Sequence, residues 1–128
     1  MKNRYIKIAG TLNLLTAFLH LIAGQIDLVN PLLGSSLTLQ QKGELTGAWH
    51  IVTILLFYTA FIVLQSGFRN RGDQNFQKLK SLAIFYILSG IPFIGISVWF
   101  GIFAPQWILL MPIGVLLLFG LRKPTDDE

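Results

Sequence analysis

The chain has 128 residues, enough for one domain; 53% of them are hydrophobic and only 12% are charged, about half the charge of an ordinary soluble domain. It contains no cysteine, which excludes disulfides, thiolate catalysis and iron–sulfur ligation. The net charge is +4, but the basic residues stand beside apolar runs, so membrane topology accounts for them and no nucleic-acid partner is expected.

Three uncharged stretches follow one another: Ile8 to Ile26, Leu45 to Phe68 and Ser81 to Leu121. A spanning helix needs about 20 predominantly apolar residues. The first two stretches hold one span each. The third is 41 residues long and holds two, parted by the turn signals between Gly101 and Pro105. The expected fold is therefore all-α: an integral membrane protein forming an antiparallel bundle of four transmembrane helices in a single domain. The expected spans are about 6–28, 45–67, 79–100 and 105–121, with a disordered acidic tail at 124–128.

Nine of the ten basic residues fall on one side of this arrangement. Lys2, Arg4 and Lys7 precede the first span; Arg69, Arg71, Lys78 and Lys80 lie between the second and third; Arg122 and Lys123 follow the fourth. Only Lys42 lies on the other side. The positive-inside rule then predicts a multi-pass protein of a bacterial-type inner membrane with both termini cytoplasmic. The first segment has the basic start and apolar run of a signal peptide. Its run is span-length, however, contains Asn13 and His20, and has Gln25 where a lipoprotein cleavage box needs cysteine. It reads as a retained helix.

Along the chain, Asn30-Pro31 is expected to end the first helix. The leucine-rich outer loop from Asn30 to Gly43 is expected to lie on the membrane surface. The basic turn Arg69-Asn70-Arg71-Gly72 orients the chain and attracts anionic lipid. Gly43-x-x-x-Gly47 and Ser97-x-x-x-Gly101 predict close helix approach within the monomer, with an oligomer contact as the second reading. Pro92 and Pro112 predict kinks. A faint repeat aligns Thr16–Gly24 with Leu82–Gly90, each followed by a tryptophan, Trp49 or Trp107, near the start of the next helix.

The functional lead is polar. Asn13, His20 and Asp27 recur every seven residues and share one helical face; Thr46, His50 and Thr53 share a face of the next span. Ionisable groups at membrane depth are costly and need a partner or a function. Antiparallel topology puts His20 and His50 in one outer layer, with Asp27 and Glu44 above them and Trp49 and Tyr86 as walls. Two imidazoles with a carboxylate suit a transition metal, ligated by His20 and His50. The two histidines also suit a single outer haem b, and the whole set suits a polar substrate head. The leading expectation is a small ligand or metal bound in an outward-facing cavity between the first two spans, in a sensing, carrier or accessory role. The alternatives are a membrane enzyme acting on a lipid or isoprenoid-like substrate by histidine or carboxylate acid–base chemistry, and a structural subunit. Expected partners are the lipid bilayer and either a second copy or another membrane subunit.

Overall fold

The computed structural model describes residues 3–69 and 75–122. The expected acidic tail and most of the basic turn after Arg69 lie outside the described residues. Among the described residues the secondary structure is helical, without strands: α1 (Asn3–Gly24), a π-helical turn (Gln25–Val29), α2 (Asn30–Gly34), α3 (Leu39–Phe68), α4 (Phe76–Phe100) and α5 (Gln106–Leu121).

Pro31 does not end the first helix. The Asn30 N–H bonds back to the Gln25 carbonyl, five residues earlier, so the backbone makes one wide turn. Pro31 follows in the first turn of α2, where its missing N–H and preset φ are tolerated. The helix therefore runs unbroken from Asn3 to Gly34, 32 residues and about 48 Å at 1.5 Å per residue. The expected surface loop shrinks accordingly. Thr38 caps α3, which begins six residues ahead of the expected start: its hydroxyl accepts from the Gln41 N–H, and Gln41 Oε1 accepts from the Thr38 N–H. This reciprocal pair is a capping box. At the far end of α4, Gly101 takes φ 61°, a left-handed cap that glycine adopts without strain.

Three helices are long and apolar enough to cross a membrane: Asn3–Gly34, Leu39–Phe68 and Phe76–Phe100. α5 is apolar but has only 16 residues, about 24 Å. The closest packing is within two hairpins, α1 on α3 and α4 on α5, with α1 also lying along α5. In the first hairpin Gly67 meets Lys7, Gly10 meets Leu64 and Gly24 meets Trp49, a constant antiparallel register. In the second, a Cβ at Gly114 would lie 2.5 Å from the Ala83 carbonyl oxygen. Close approach thus uses Gly10, Gly67 and Gly114. The expected packing role of Gly43 and Gly47 is overturned, since a Cβ at either would meet nothing within 4 Å. Gly101 is a cap, with equally open surroundings.

Burial is concentrated toward one end, with Val29 of the π turn buried at the other. Ile6, Ala9 and Ala17 of α1, Leu56, Ala60 and Val63 of α3, Leu79 and Ala83 of α4, and Ile113 and Leu117 of α5 form the core. All lie toward the end bearing Arg4, Lys7, Arg69, Lys78 and Arg122, called here the basic end. Toward the opposite, far end, α4 beyond Gly90 and α3 before Thr53 bury no residue.

Candidate functional site

Two polar layers cross the bundle. The first joins three helices. Asn13 is fully buried, and its Nδ2 donates to Thr59 Oγ1 at 3.2 Å. Thr59 Oγ1 and the Tyr86 hydroxyl are 2.5 Å apart. The Thr59 hydroxyl hydrogen goes to its own helix, at the Leu55 carbonyl 2.8 Å away. Its oxygen therefore accepts from both Asn13 and Tyr86. Asn13 and Tyr86 each stand ten residues from the basic ends of α1 and α4, and Thr59 nine from that of α3, so all three sit about 15 Å up the bundle. Asn13 Oδ1 is buried and has no partner.

The second layer lies seven residues further along α1, about 10 Å on. The His20 ring stacks on the Trp49 indole, with centroids 3.7 Å apart and planes 13° from parallel. His20 Nε2 approaches the Trp49 carbonyl at 3.4 Å. A carbonyl only accepts, so in the neutral ring the hydrogen sits on Nε2 and the lone pair on Nδ1. Gly24 makes room for the indole: a Cβ there would overlap the six-membered ring. Thr53 is buried and donates to the same Trp49 carbonyl at 3.1 Å.

Two groups in this layer are orphaned. Trp49 Nε1 and Thr46 Oγ1 are buried without a partner. They are three residues apart and so share a face of α3. The contrast within the chain is informative. The hydroxyls of the four buried threonine and serine residues, Thr16, Thr53, Thr59 and Ser66, each donate to the carbonyl four residues back. Thr46 does not. Leaving a buried hydroxyl and an indole N–H unpaired costs about 1–3 kcal/mol each, a cost that a ligand with hydrogen-bonding atoms would offset.

The other expected site residues stand differently. His50 follows Trp49 but its side chain is exposed, as are Asp27 and Glu44. Asp27 lies within the π turn, which under-winds the helix and carries it off the Asn13–His20 face; Val29 points inward instead, 1% exposed. Glu44 accepts from Gln40 Nε2 at 3.0 Å. Among the described residues no three His, Cys, Asp or Glu side chains come together as a metal ion would require. Tyr86 belongs to the first layer rather than to the wall of the second. Thr59 was not anticipated; Gly24 is expected beside the Asn13–His20 face, but not as the room for Trp49. Thr59 precedes Ala60 in a heptad run of small residues, Thr46, Thr53, Ala60 and Gly67, and that run is the signal that could have found it.

The fold and site thus define an all-helical bundle with membrane-length apolar helices and a polar layer between its first two long helices. Comparison with family models, with curated protein sequences and with solved structures finds no match to this chain.

Proposed function

We propose that this chain is a multi-pass protein of a bacterial-type inner membrane, crossing it four times with both termini cytoplasmic. In its outer half, between α1 and α3, it binds a small ligand carrying a hydrogen-bond acceptor. The observation that carries the reading is the pair of buried, unpartnered groups on one face of α3, Trp49 Nε1 and Thr46 Oγ1. The indole N–H only donates and the hydroxyl can donate, so the complementary group is a carbonyl or carboxylate oxygen. His20 fixes the indole plane and leaves Nδ1 as an acceptor for a donor on the same ligand. The basic end supplies the orientation through the positive-inside rule, and the first hairpin reaches well beyond a hydrocarbon core of about 30 Å.

Alkaline carbonate extraction tests the membrane reading, and the absence of native cysteine makes single-cysteine labelling a clean topology test. A cysteine at Gln40 is expected to react with an impermeant maleimide from outside, and one at Lys78 only after permeabilisation. The site is tested in a Trp99→Phe/Trp107→Phe background, where Trp49 is the sole fluorophore of its kind. Titration with octanamide and octanoate is expected to give a saturable emission change that Thr46→Val abolishes. Emission indifferent to both probes would sink the reading. Saturation by Zn2+ alone, lost in His20→Ala and in His50→Ala, would replace it with a metal site.

A second reading is favoured by one observation. α3 and α4 pack less closely than either hairpin and are joined by side-chain hydrogen bonds at Thr59–Tyr86 and Ser66–Asn75. That seam offers lateral entry from lipid, as an enzyme acting on a lipid or isoprenoid-like substrate would need.

A further inference from the structure

The basic end carries a feature that the ligand site does not use. Gly120 of α5 lies so close to α1 that a Cβ there would come within 2.6 Å of Ile6 Cγ1. This approach brings the last turn of α5 against the first turns of α1. Tyr5 and Phe119 meet across it, with ring centroids 6.2 Å apart. Each ring also carries a guanidinium: Arg4 lies 5.4 Å from the Tyr5 centroid, and Arg122 lies 4.6 Å from that of Phe119. Such cation–π contacts restrain both side chains over one aromatic pair. Residues of α1 and of the end of α5 thus place a guanidinium on each of two rings that meet. Both arginines are exposed. Among the described residues the only carboxylates are Asp27 and Glu44, both at the far end.

We propose that Arg4 and Arg122, held over the Tyr5–Phe119 pair, form a defined binding site for the phosphate of an anionic phospholipid in the cytoplasmic leaflet. Three arguments support a lipid. Planar guanidinium forks match phosphate oxygens and bind them in a bidentate way. Among the described residues no carboxylate stands at this end, and an anion contacting both guanidinium groups would offset their like charge. The site also lies at the helix ends of an apolar bundle, beside Phe119, which is 41% exposed and can pack against an acyl chain. The inference rests on the membrane-spanning reading but is independent of the ligand site at the far end.

Native mass spectrometry of the full chain in detergent tests it, with short-chain phosphatidylglycerol and phosphatidylcholine as probes. The wild type is expected to retain one phosphatidylglycerol in preference to phosphatidylcholine. Each arginine near an anionic surface is worth about fivefold in binding, so Arg4→Gln/Arg122→Gln is expected to lose the preference. Lys78→Gln/Lys80→Gln makes the same charge change on α4, where both lysines are exposed, and is expected to keep it. Circular dichroism confirms that each variant is folded, and Arg4→Lys/Arg122→Lys, retaining charge without the fork, is expected to fall between. Asp126, Asp127 and Glu128 follow in sequence and are rival anions. Neutralising them in the full chain is expected to leave binding unchanged or tighter, and weaker binding would overturn the proposal. So would equal loss in the lysine variant, which means diffuse attraction, or displacement by millimolar inorganic phosphate, which means a free-anion site. A chain released from membranes by carbonate would end the membrane reading as well. A membrane-retained chain that does not discriminate the two lipids ends this inference alone.

Discussion

At the basic end four helices meet, and Ile6, Val63, Leu79 and Leu117 are completely buried; at the far end α5 has not begun, and Val98 and Trp99 of α4 stand 80% and 84% exposed. Helix composition does not cause this difference, because both ends are apolar. Length and small residues do. Gly10, Gly67, Gly114 and Gly120 bring helices together where four are present, whereas Gly43, Gly47 and Gly95 face open space. Hydroxyls divide in the same way: those of the packed half are paired, although Asn13 Oδ1 is not, and the orphaned Thr46 hydroxyl and Trp49 indole lie in the far half. The chain thus separates a closely packed half from a more open one.

Substitutions can break or sharpen this contrast. Gly114→Leu, which drives a side chain into the Ala83 backbone, is expected to destabilise the bundle by about 3 kcal/mol, read as a lowered thermal midpoint in detergent. An unchanged midpoint would mean that the second hairpin is not clamped there. Next comes Thr59→Val, which strips the acceptor from both Asn13 and Tyr86. A loss of about 1.5 kcal/mol is expected, while Tyr86→Phe removes one membrane hydrogen bond and is expected to lose about 0.6 kcal/mol. A double-mutant cycle checks the coupling, and strict additivity would show that the three groups do not act as a unit.

At the far end the sign changes. Gly47→Ala is expected to stabilise by about 0.5–1 kcal/mol through helix propensity alone. Destabilisation, or a change in oligomeric mass, would show that this face packs against something after all. Thr46→Val is likewise expected to stabilise the unliganded chain, by about 1 kcal/mol, because it removes a buried hydroxyl that has no partner. It should nevertheless abolish the response of Trp49 emission to octanamide. A large stability loss with unchanged emission would make Thr46 a structural residue.

Much of the fold was legible in the sequence. Charge-free runs mark each helix because a long apolar run without charge leaves few alternatives to a buried or membrane-spanning helix. Helix ends were less legible. Thr38-x-x-Gln41 is a local capping signal and was available, but the hydrophobic run that begins at Leu45 masked it. The π turn was not available: Pro31 reads as a stop, and only the backbone shows that one wide turn accommodates it. The site divides in the same way. Asn13, His20, Thr46 and Thr53 could be placed on facing stripes by helical spacing. Asp27 could not, since ideal periodicity carries it onto a face that the π turn removes. The stacking of His20 on Trp49 depends on Gly24 meeting α3 at that level, an inter-helix register that spacing within one helix does not contain.

The unequal hairpins have a consequence for the surrounding lipid. The first reaches about 45–48 Å and α5 only about 24 Å, so no single bilayer thickness suits both. Around α5 the membrane would have to thin, while the first hairpin tilts or projects its tip among the head groups. If the proposed four-span placement holds, such a molecule would be a wedge in its bilayer, expected to partition toward thin or curved membrane and to lose thermal stability as acyl chains are lengthened.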